Sequence, residues 1–278
     1  MSEQLTETKV HPLALVEEGA QLGVGVTIEP FAVVKSGVTI HDYATIKSHA
    51  YIDGNTTIGE NTTIYPSASI GTKTQDLKFK GETTFVKIGK NCQIREFVTI
   101  NSSCQEGSVV SVGDDCLIMA YCHIAHNCEV GNRVIMSNNA TLAGHVIVED
   151  NAIISGLTGI HQFVRIGTFA MVGGMSRVTH DIAPYTLGAG TPFKLGGLNL
   201  VGLKRNGFTL EVRQALSKAY RLLYTSKLRF EEALNRIESE VTLFPEVIHF
   251  VRFCRDSKRG LMCLQHTLDE ESQEYLEN

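Results

Sequence analysis

The sequence lacks several features that would place it in common classes of protein. It has no run of 18 apolar residues, so we expect no membrane span. Its net charge is −5, which argues against a dedicated nucleic-acid-binding protein. Residues 1–8 are polar rather than apolar, so we expect no secretory signal. The seven cysteines, an odd number without such a signal, favour reduced thiols in a cytoplasm.

What the sequence has instead is an aliphatic residue at every sixth position from Val10 to Val178. In this series of 29 positions, only Asp76, Glu82 and Glu106 break the pattern. A second column, two residues earlier, holds mostly small residues such as alanine and cysteine. A period of six does not fit an α-helix but is a multiple of the strand period of two. The repeat therefore predicts many short strands, each followed by a corner.

Three such hexads make a triangular coil, and successive coils stack as parallel strands about 4.8 Å apart. This arrangement is the hexapeptide β-helix. Crossovers between parallel strands are usually right-handed, but known hexapeptide β-helices are left-handed, and we follow that resemblance. We expect residues 1–190 to form a left-handed parallel β-helix, with loops near residues 72–85 and 101–111, where the repeat lapses.

The pattern changes after the repeat. Residues 184–192 contain the proline and glycine residues that end it. From Thr209, a suitable N-cap, the apolar residues take helical spacing. A second helix is predicted over residues 230–243, and a third begins near Pro245, a residue suited to a first helical turn. The complete prediction is an all-β left-handed β-helix followed by a C-terminal α-helical domain, residues 191–278.

The predicted helical domain has an uneven charge distribution. From Lys204 to Arg229 seven basic residues stand against the single acidic residue Glu211, a local net charge of +6. A solvated helix surface and a docking site for an acidic partner both account for this pattern. The acidic residues 269–278 at the end of the chain are expected to fray.

The coil length predicts which residues are neighbours in adjacent coils. Residues separated by 18 positions should stack, which groups His126 with Gly144 and Gln162, Asn127 with His145, and Ala143 with His161. His123 precedes His126 on the same turn. Four of the ten histidines therefore gather on one edge of the β-helix, and together they indicate a functional site.

Three chemistries could use this cluster. Histidines bind zinc in β-helix trimers resembling carbonic anhydrases, but the spacing of His123 and His126 is too short for that pattern. A histidine can instead act as general base on a hydroxyl that attacks a thioester. Gly144 favours this option, because its unobstructed N–H can approach a developing oxyanion.

A cysteine nucleophile is the third option, but the candidate thiols fall in packing positions. These small-column cysteines, which we expect to pack rather than bind metal, are Cys92, Cys104, Cys116, Cys122 and Cys128.

Four motifs resemble one enzyme family. They are Ala-Tyr-Cys-His-Ile-Ala-His-Asn-Cys at 120–128, Asn-Asn-Ala-Thr-Leu-Ala-Gly-His-Val at 138–146, Gly-Ile-His-Gln-Phe at 159–163 and Gly-Leu-Lys-Arg at 202–205. Each is similar to a segment of the acyl carrier protein-dependent UDP-N-acetylglucosamine O-acyltransferases, the first enzymes of lipid A biosynthesis. The resemblance covers nearly the whole chain.

The resemblance implies a homotrimer with active sites between neighbouring β-helices, and we expect no metal or cofactor. Its reaction moves a long (3-hydroxy)acyl chain from acyl carrier protein to the 3-hydroxyl of UDP-N-acetylglucosamine.

The resemblance also implies the roles of individual residues. His126, followed by Asn127, is implied as the general base, and Gly144 as the oxyanion donor. The implied substrate-binding residues are Asp76, Lys78, His123, His145, His161, Gln162, Asn199 and Arg205. Gly174, stacked on Gly156, matches the position that limits acyl-chain length and leaves room for a long chain. The basic helical segment then suits an acidic acyl carrier protein.

The sequence departs from the family pattern at several positions. Asn127 stands where the family usually has an aspartate, so it accepts a hydrogen bond without adding charge. Val201 and Asn206 replace an acidic and a basic residue, and Asn101 replaces a histidine.

Three competing functions fit parts of the pattern. The first is the related N-acyltransferase of the same pathway, but its extra N-terminal domain has no room before the repeat, which begins by Val10. The second is a zinc-dependent β-helix hydratase, and the third is a purely structural or binding β-helix.

Overall fold

The computed structural model describes residues 7–262, so the predicted fraying of residues 269–278 lies outside the described part of the chain. Most of its strands contain only two residues, as expected from one strand in each hexad. In chain order they are β1 (Lys9–Val10), β2 (Leu15–Val16), β3 (Gln21–Leu22), β4 (Thr27–Ile28), β5 (Val33–Val34), β6 (Thr39–Ile40), β7 (Thr45–Ile46), β8 (Tyr51–Ile52), β9 (Asn55–Ile58), β10 (Thr63–Ile64), β11 (Ser69–Thr72), β12 (Phe85–Ile88), β13 (Gln93–Ile94), β14 (Thr99–Asn101), β15 (Val109–Val112), β16 (Leu117–Ile118), β17 (His123–Ile124), β18 (Glu129–Val130), β19 (Ile135–Met136), β20 (Thr141–Leu142), β21 (Ile147–Val148), β22 (Ile153–Ile154), β23 (Gly159–Ile160), β24 (Arg165–Ile166), β25 (Met171–Val172), β26 (Arg177–Val178), β27 (Thr186–Ala189) and β28 (Lys194–Leu198).

These strands form three parallel sheets, because each strand of the coil pairs with the third strand after it. One sheet runs β1-β4-β7 and onward to β25, β27 and β28, a second runs from β2 to β26, and the third from β3 to β24. The aliphatic column is buried along the axis from Ile28 onward. Its members pair in register between adjacent coils, as Ile124 does with Leu142. The predicted left-handed parallel β-helix is confirmed.

The corners between strands turn through the left-handed backbone region. Residues with positive φ recur at the corners and include asparagine, histidine and also bulky side chains such as Phe163 (φ 67°). This conformation is unfavourable for most L-residues, and asparagine and histidine tolerate it better than most. At these corners the site residues Asn127 and His145 have φ of 57° and 60°.

Two loops interrupt the coil without disturbing the column of buried side chains. One lies between β11 and β12, where Ile58 pairs with Ile88. The other lies between β14 and β15, where Ile94 pairs with Ile118. These partners are 30 and 24 residues apart, so the loops add 12 and 6 residues to the normal coil. Since both insertions are multiples of six, the sequence period continues through them.

The coil ends in a hairpin and four helices. β27 and β28 pair antiparallel, and the helices are α1 (Leu200–Arg205), α2 (Leu210–Tyr224), α3 (Phe230–Glu240) and α4 (Pro245–Arg255). The predicted N-cap is confirmed, since the Thr209 side chain accepts a hydrogen bond from the N–H of Val212. The helix predicted to reach residue 243 ends at Glu240, and α1 was not predicted.

The helices bury a core of their own. Leu216, Leu234, Ile237 and Phe250 pack together and against Tyr185 at the end of the coil. Among residues 7–262, no helix has the length and apolar character needed to cross a membrane.

Candidate active site

His126 lies at the corner that follows β17, one residue beyond Ala125, and its side chain is only 12% exposed. Its imidazole lies over Gly144 of the next coil, as the 18-residue spacing predicts. A Cβ atom built on Gly144 would lie 2.3 Å from Cε1 and 2.4 Å from Nε2 of His126. Such contacts are far shorter than van der Waals separation, so glycine is required at position 144 for space.

The backbone of Gly144 is only partly used by the fold. Its carbonyl accepts a hydrogen bond from the N–H of Phe163, at 3.1 Å. Its N–H makes no hydrogen bond within residues 7–262. Since Gly144 is buried beneath the imidazole, a free donor lies next to the ring. This N–H is therefore available to a ligand that reaches the cluster of polar side chains.

Asn127 orients one side of the His126 ring. Its Oδ1 lies 3.0 Å from Nδ1 of His126 and also accepts the S–H of Cys104 at 3.0 Å. An amide oxygen accepts hydrogen bonds, so this contact places the imidazole proton on Nδ1. The lone pair of Nε2 is then free to accept a proton from a substrate.

Asp76 faces the other side of the His126 ring. Its Oδ2 lies 3.7 Å from Nε2, and its Oδ1 accepts the N–H of Lys78 at 2.9 Å. The N–H of Lys78 is the main cause that lowers the pKa of Asp76, with smaller contributions from Cys104 and His126. A carboxylate is therefore present beside Nε2, where it can stabilise an imidazolium ion.

Two further histidines border the cluster. The His145 ring meets the His126 ring edge-on at 5.2 Å and stacks on Phe163 at 4.7 Å. Nδ1 of His123 lies 2.7 Å from Oγ1 of Thr99. Burial, and then the proximity of His126, lowers the pKa of both His123 and His145. Both side chains are thus favoured in the neutral form, which limits charge repulsion around His126.

Cys104 does not pack in the interior, so that prediction was wrong for this residue. It lies in the loop between β14 and β15, half-buried, with Sγ 3.5 Å from Nδ1 of His126. Burial, and then the neighbouring Asp76 carboxylate, raises the pKa of the Cys104 thiol. The remaining four cysteines of the small column are buried, as predicted: Cys92, Cys116, Cys122 and Cys128.

The remaining predicted site residues make no hydrogen bond to His126 among residues 7–262. His161 is exposed, and its Nδ1 contacts the carbonyl of its neighbour Gln162 at 3.1 Å. Asn199 is the N-cap of α1: its Oδ1 accepts the N–H of Gly202, and its Nδ2 donates to the carbonyl of Phe169. Its side chain therefore has a structural role. Arg205 is exposed in the last turn of α1.

Two further positions discussed from the sequence, Gly174 and Asn101, lie in the coil rather than beside His126. A Cβ on Gly174 would lie 3.3 Å from the carbonyl oxygen of Gly156, which confirms that the two glycines stack. Asn101 is buried, and its Nδ2 donates to Oγ1 of Thr72 at 3.1 Å. This bond joins the starts of the two loops that carry Asp76 and Cys104.

Comparison with known proteins assigns the family. A family model described as Udp N-acetylglucosamine O-acyltransferase, Domain 2, matches residues 181–262, and one for the bacterial transferase hexapeptide matches residues 110–144. The chain is 55% identical to an acyl-[acyl-carrier-protein]–UDP-N-acetylglucosamine O-acyltransferase of Chlamydia abortus over 91% of both chains. The chain belongs to this O-acyltransferase family.

Solved structures agree with this assignment. A UDP-N-acetylglucosamine acyltransferase from Bacteroides fragilis is similar with a TM-score of 0.89 and 39% identity, over 91% of this chain and 99% of that one. One from Campylobacter jejuni has a TM-score of 0.86 and 40% identity, over 92% of this chain and 100% of that one. Neither the N-acyltransferase nor the zinc-dependent hydratase is favoured over the O-acyltransferase family.

Sequence reasoning missed three residues of the site. Phe163 lies 18 positions after His145, so the coil length contains the signal for their stacking. Thr99 and Cys104 lie 24 and 22 positions before their histidine partners, because a loop intervenes. The 24-residue separation of Thr99 and His123 fits the six-residue period, and the two residues pair in register. No regular spacing indicates the contact of Cys104 with His126.

Proposed function

We propose that the protein transfers a long (3-hydroxy)acyl chain from acyl carrier protein to the 3-hydroxyl of UDP-N-acetylglucosamine, the first step of lipid A biosynthesis. Membership of the O-acyltransferase family supports the reaction. The observation that carries the proposal is the position of His126 over Gly144. Within residues 7–262, neither Nε2 of His126 nor the N–H of Gly144 makes a hydrogen bond.

His126 is the general base in this mechanism. Nε2 removes the proton of the sugar 3-hydroxyl as the hydroxyl oxygen attacks the thioester carbonyl. Asn127 holds the other ring nitrogen and so fixes the tautomer. The Asp76 carboxylate lies beside the nitrogen that becomes protonated, so the imidazolium ion forms next to a negative charge.

The thioester carbonyl then becomes a tetrahedral oxyanion, to which the N–H of Gly144 donates. Collapse of this intermediate breaks the C–S bond and leaves the ester on the sugar. The leaving thiolate takes the proton back from His126, so the base is regenerated. The raised pKa of Cys104 keeps its thiol protonated, which argues against a cysteine acyl-enzyme.

Further substrate contacts are proposed from the family pattern. Asp76, Lys78, His123 and His145 contact the glucosamine, and His161, Gln162, Asn199 and Arg205 hold the nucleotide or the acyl-pantetheine region. Gly174 limits the length of the acyl chain, since a side chain there would fill the space over Gly156. The structural bonds of Asn199 favour an indirect contribution through the position of α1.

Association of three copies is supported by an exposed apolar edge. Six side chains, each between 48% and 70% exposed, recur at one corner of the coil: Leu13, Phe31, Phe97, Tyr121, Leu157 and Met175. We name this set the apolar ridge. A row of large exposed apolar side chains along one edge is typical of a protein–protein interface.

Two further proposals concern the partner protein and the cellular compartment. The exposed basic residues from Lys204 to Arg229 suit an acidic acyl carrier protein, since charge complementarity accelerates association. A reducing cytoplasm suits the free cysteines, which include neighbouring thiols at Cys92 and Cys116 in adjacent coils.

The test is an assay with UDP-N-acetylglucosamine and acyl carrier proteins loaded with chains of different lengths. We expect an O-acylated sugar nucleotide by mass spectrometry, with highest kcat/KM for a long chain. His126→Ala should lower kcat by about 10²- to 10⁴-fold, the usual contribution of a general base. His41→Ala, at an exposed position several coils away, is the control. Absence of product with every chain would favour a structural or binding role instead, and full activity of His126→Ala would exclude His126 as the general base.

A further inference from the structure

Cys104, His126 and His145 form a cluster with the geometry of a metal site. One ligand atom from each lies within 4.8 Å of the other two. Sγ of Cys104 and Nδ1 of His126 are already 3.5 Å apart. Zinc binds thiolate sulfur at about 2.3 Å and imidazole nitrogen at about 2.0 Å, so tetrahedral ligand atoms lie about 3.3 to 3.6 Å from each other. Small side-chain rotations would complete the site.

The donor set favours a borderline-soft ion such as zinc over magnesium and calcium. One thiol and two imidazoles suit a borderline-soft ion, whereas magnesium and calcium require mostly oxygen ligands. The Asp76 carboxylate, 3.7 Å from Nε2 of His126, adds negative charge beside the cluster. All three ligand residues are half-buried, so an ion can reach them from solvent.

We propose that Zn²⁺ binds reversibly to Cys104, His126 and His145 and thereby inhibits the enzyme. Coordination through Nδ1 of His126 moves the remaining ring proton to Nε2, which can no longer accept the proton of a substrate hydroxyl. The Cys104 thiol releases its proton to solvent as the zinc–sulfur bond forms. The metal therefore blocks the general base and takes no part in catalysis. The inhibitory effect rests on the proposed function, whereas metal binding does not.

Sequence spacing alone does not predict this site. The spacing of His123 and His126 argues against a zinc site built from histidines alone. The loop between β14 and β15 brings in the thiol, and the stacked coil brings in His145 in place of His123.

Binding is tested directly with Co²⁺, a spectroscopic substitute for zinc, on the full chain treated with a chelator. We expect a thiolate-to-cobalt charge-transfer band that saturates at one ion per chain and is displaced by Zn²⁺. Cys104→Ala should abolish the band. Cys122→Ala is the matched control, because the Cys122 thiol is buried and donates to the carbonyl of Ser137. This readout does not depend on acyltransferase activity.

Inhibition is measured as the zinc concentration that halves the acyl-transfer rate. For each variant, this rate is compared with the rate of the same variant without zinc. Loss of an outer-shell partner alone costs about 10- to 100-fold in metal affinity. We therefore expect Cys104→Ala to raise this concentration by more than about 10-fold, and Cys122→Ala to leave it unchanged. Equal zinc sensitivity in Cys104→Ala and the parent, or a cobalt band that persists in Cys104→Ala, would overturn the proposal.

Discussion

Both the packing of the fold and the proposed chemistry require glycine at position 144. We predict that Gly144→Ala lowers kcat by about 10²-fold, because displacement of a catalytic group by about 1 Å can have that effect. The added Cβ would lie 2.3 Å from the His126 ring, so the imidazole must move. Steady-state kinetics with the long-chain donor measures the effect.

Gly159→Ala is the matched control for this substitution. Gly159 lies in β23, which pairs with β20 just before Gly144, and a Cβ there has no heavy atom within 4 Å. Circular dichroism of both variants should be unchanged. Full activity in Gly144→Ala would show that the ring position is not critical.

The Cys104 thiol provides a second prediction at the residue scale. Burial and the Asp76 carboxylate raise the pKa of Cys104, so its reaction with iodoacetamide at neutral pH should be slow. Asp76→Asn removes the negative charge and should lower this pKa, which shifts the rise of alkylation rate to lower pH. Mass spectrometry of the modified peptide across a pH series measures the shift.

Glu60→Gln, at a distant acidic residue, should leave the alkylation profile of Cys104 unchanged. An identical profile for Asp76→Asn and the parent would mean that burial alone determines the reactivity of the thiol.

The sequence predicts the positions of site residues in the regular coil, but not of those in the loops. The coil length predicts that His126 lies over Gly144, and that Asn127 and His145 share a corner column. It does not predict the position of Cys104, because the backbone of an irregular loop follows no period. For the same reason, periodicity does not predict the approach of Asp76 to Nε2, and the family resemblance implies only that Asp76 contacts the sugar.

At the scale of elements, Asp181 joins the end of the coil to the segment after α4. Its Oδ1 accepts the N–H of Arg165, and its Oδ2 accepts the hydroxyl of Ser257 at 2.8 Å. Its own N–H donates to the carbonyl of Gly260. We predict that Asp181→Ala lowers the free energy of unfolding by about 1–3 kcal/mol, because a buried N–H then has no partner.

This contribution should depend on pH. Burial raises the pKa of Asp181, so the protonated form is favoured in the folded state. The part of the stabilisation that is linked to protonation is therefore complete below the unfolded-state pKa, about 3.9, and is lost as pH rises through the folded-state pKa. Urea unfolding should show a larger deficit for Asp181→Ala at acid pH than at neutral pH. Asp256→Ala, at an exposed neighbour, is the control, and an opposite trend would contradict this assignment.

The elements were predicted with unequal success, for physical reasons. Each strand is specified by one buried aliphatic residue, and both loops preserve the period because their insertions are multiples of six. The α2 helix has a clear N-cap and apolar spacing. The β27–β28 hairpin and the short α1 lack any period of their own, since their positions depend on packing against the coil end.

At the scale of the whole molecule, the apolar ridge predicts how copies associate. We expect the parent protein to have three times the mass of one chain by light scattering. Leu157→Glu combined with Met175→Glu places two charges on the ridge, at side chains that are 62% and 70% exposed. Burying unpaired charges at an interface is unfavourable, so the double variant should become monomeric.

The double variant also tests whether the site requires a neighbouring copy. If the active sites lie between β-helices, the monomer loses acyl transfer although His126 and Gly144 are unchanged, and circular dichroism remains that of the parent. Val24→Glu is the matched control, because Val24 is 46% exposed but lies on another edge of the coil. A double variant that stays trimeric would exclude the ridge as the interface, and an active monomer would place the whole site within one chain.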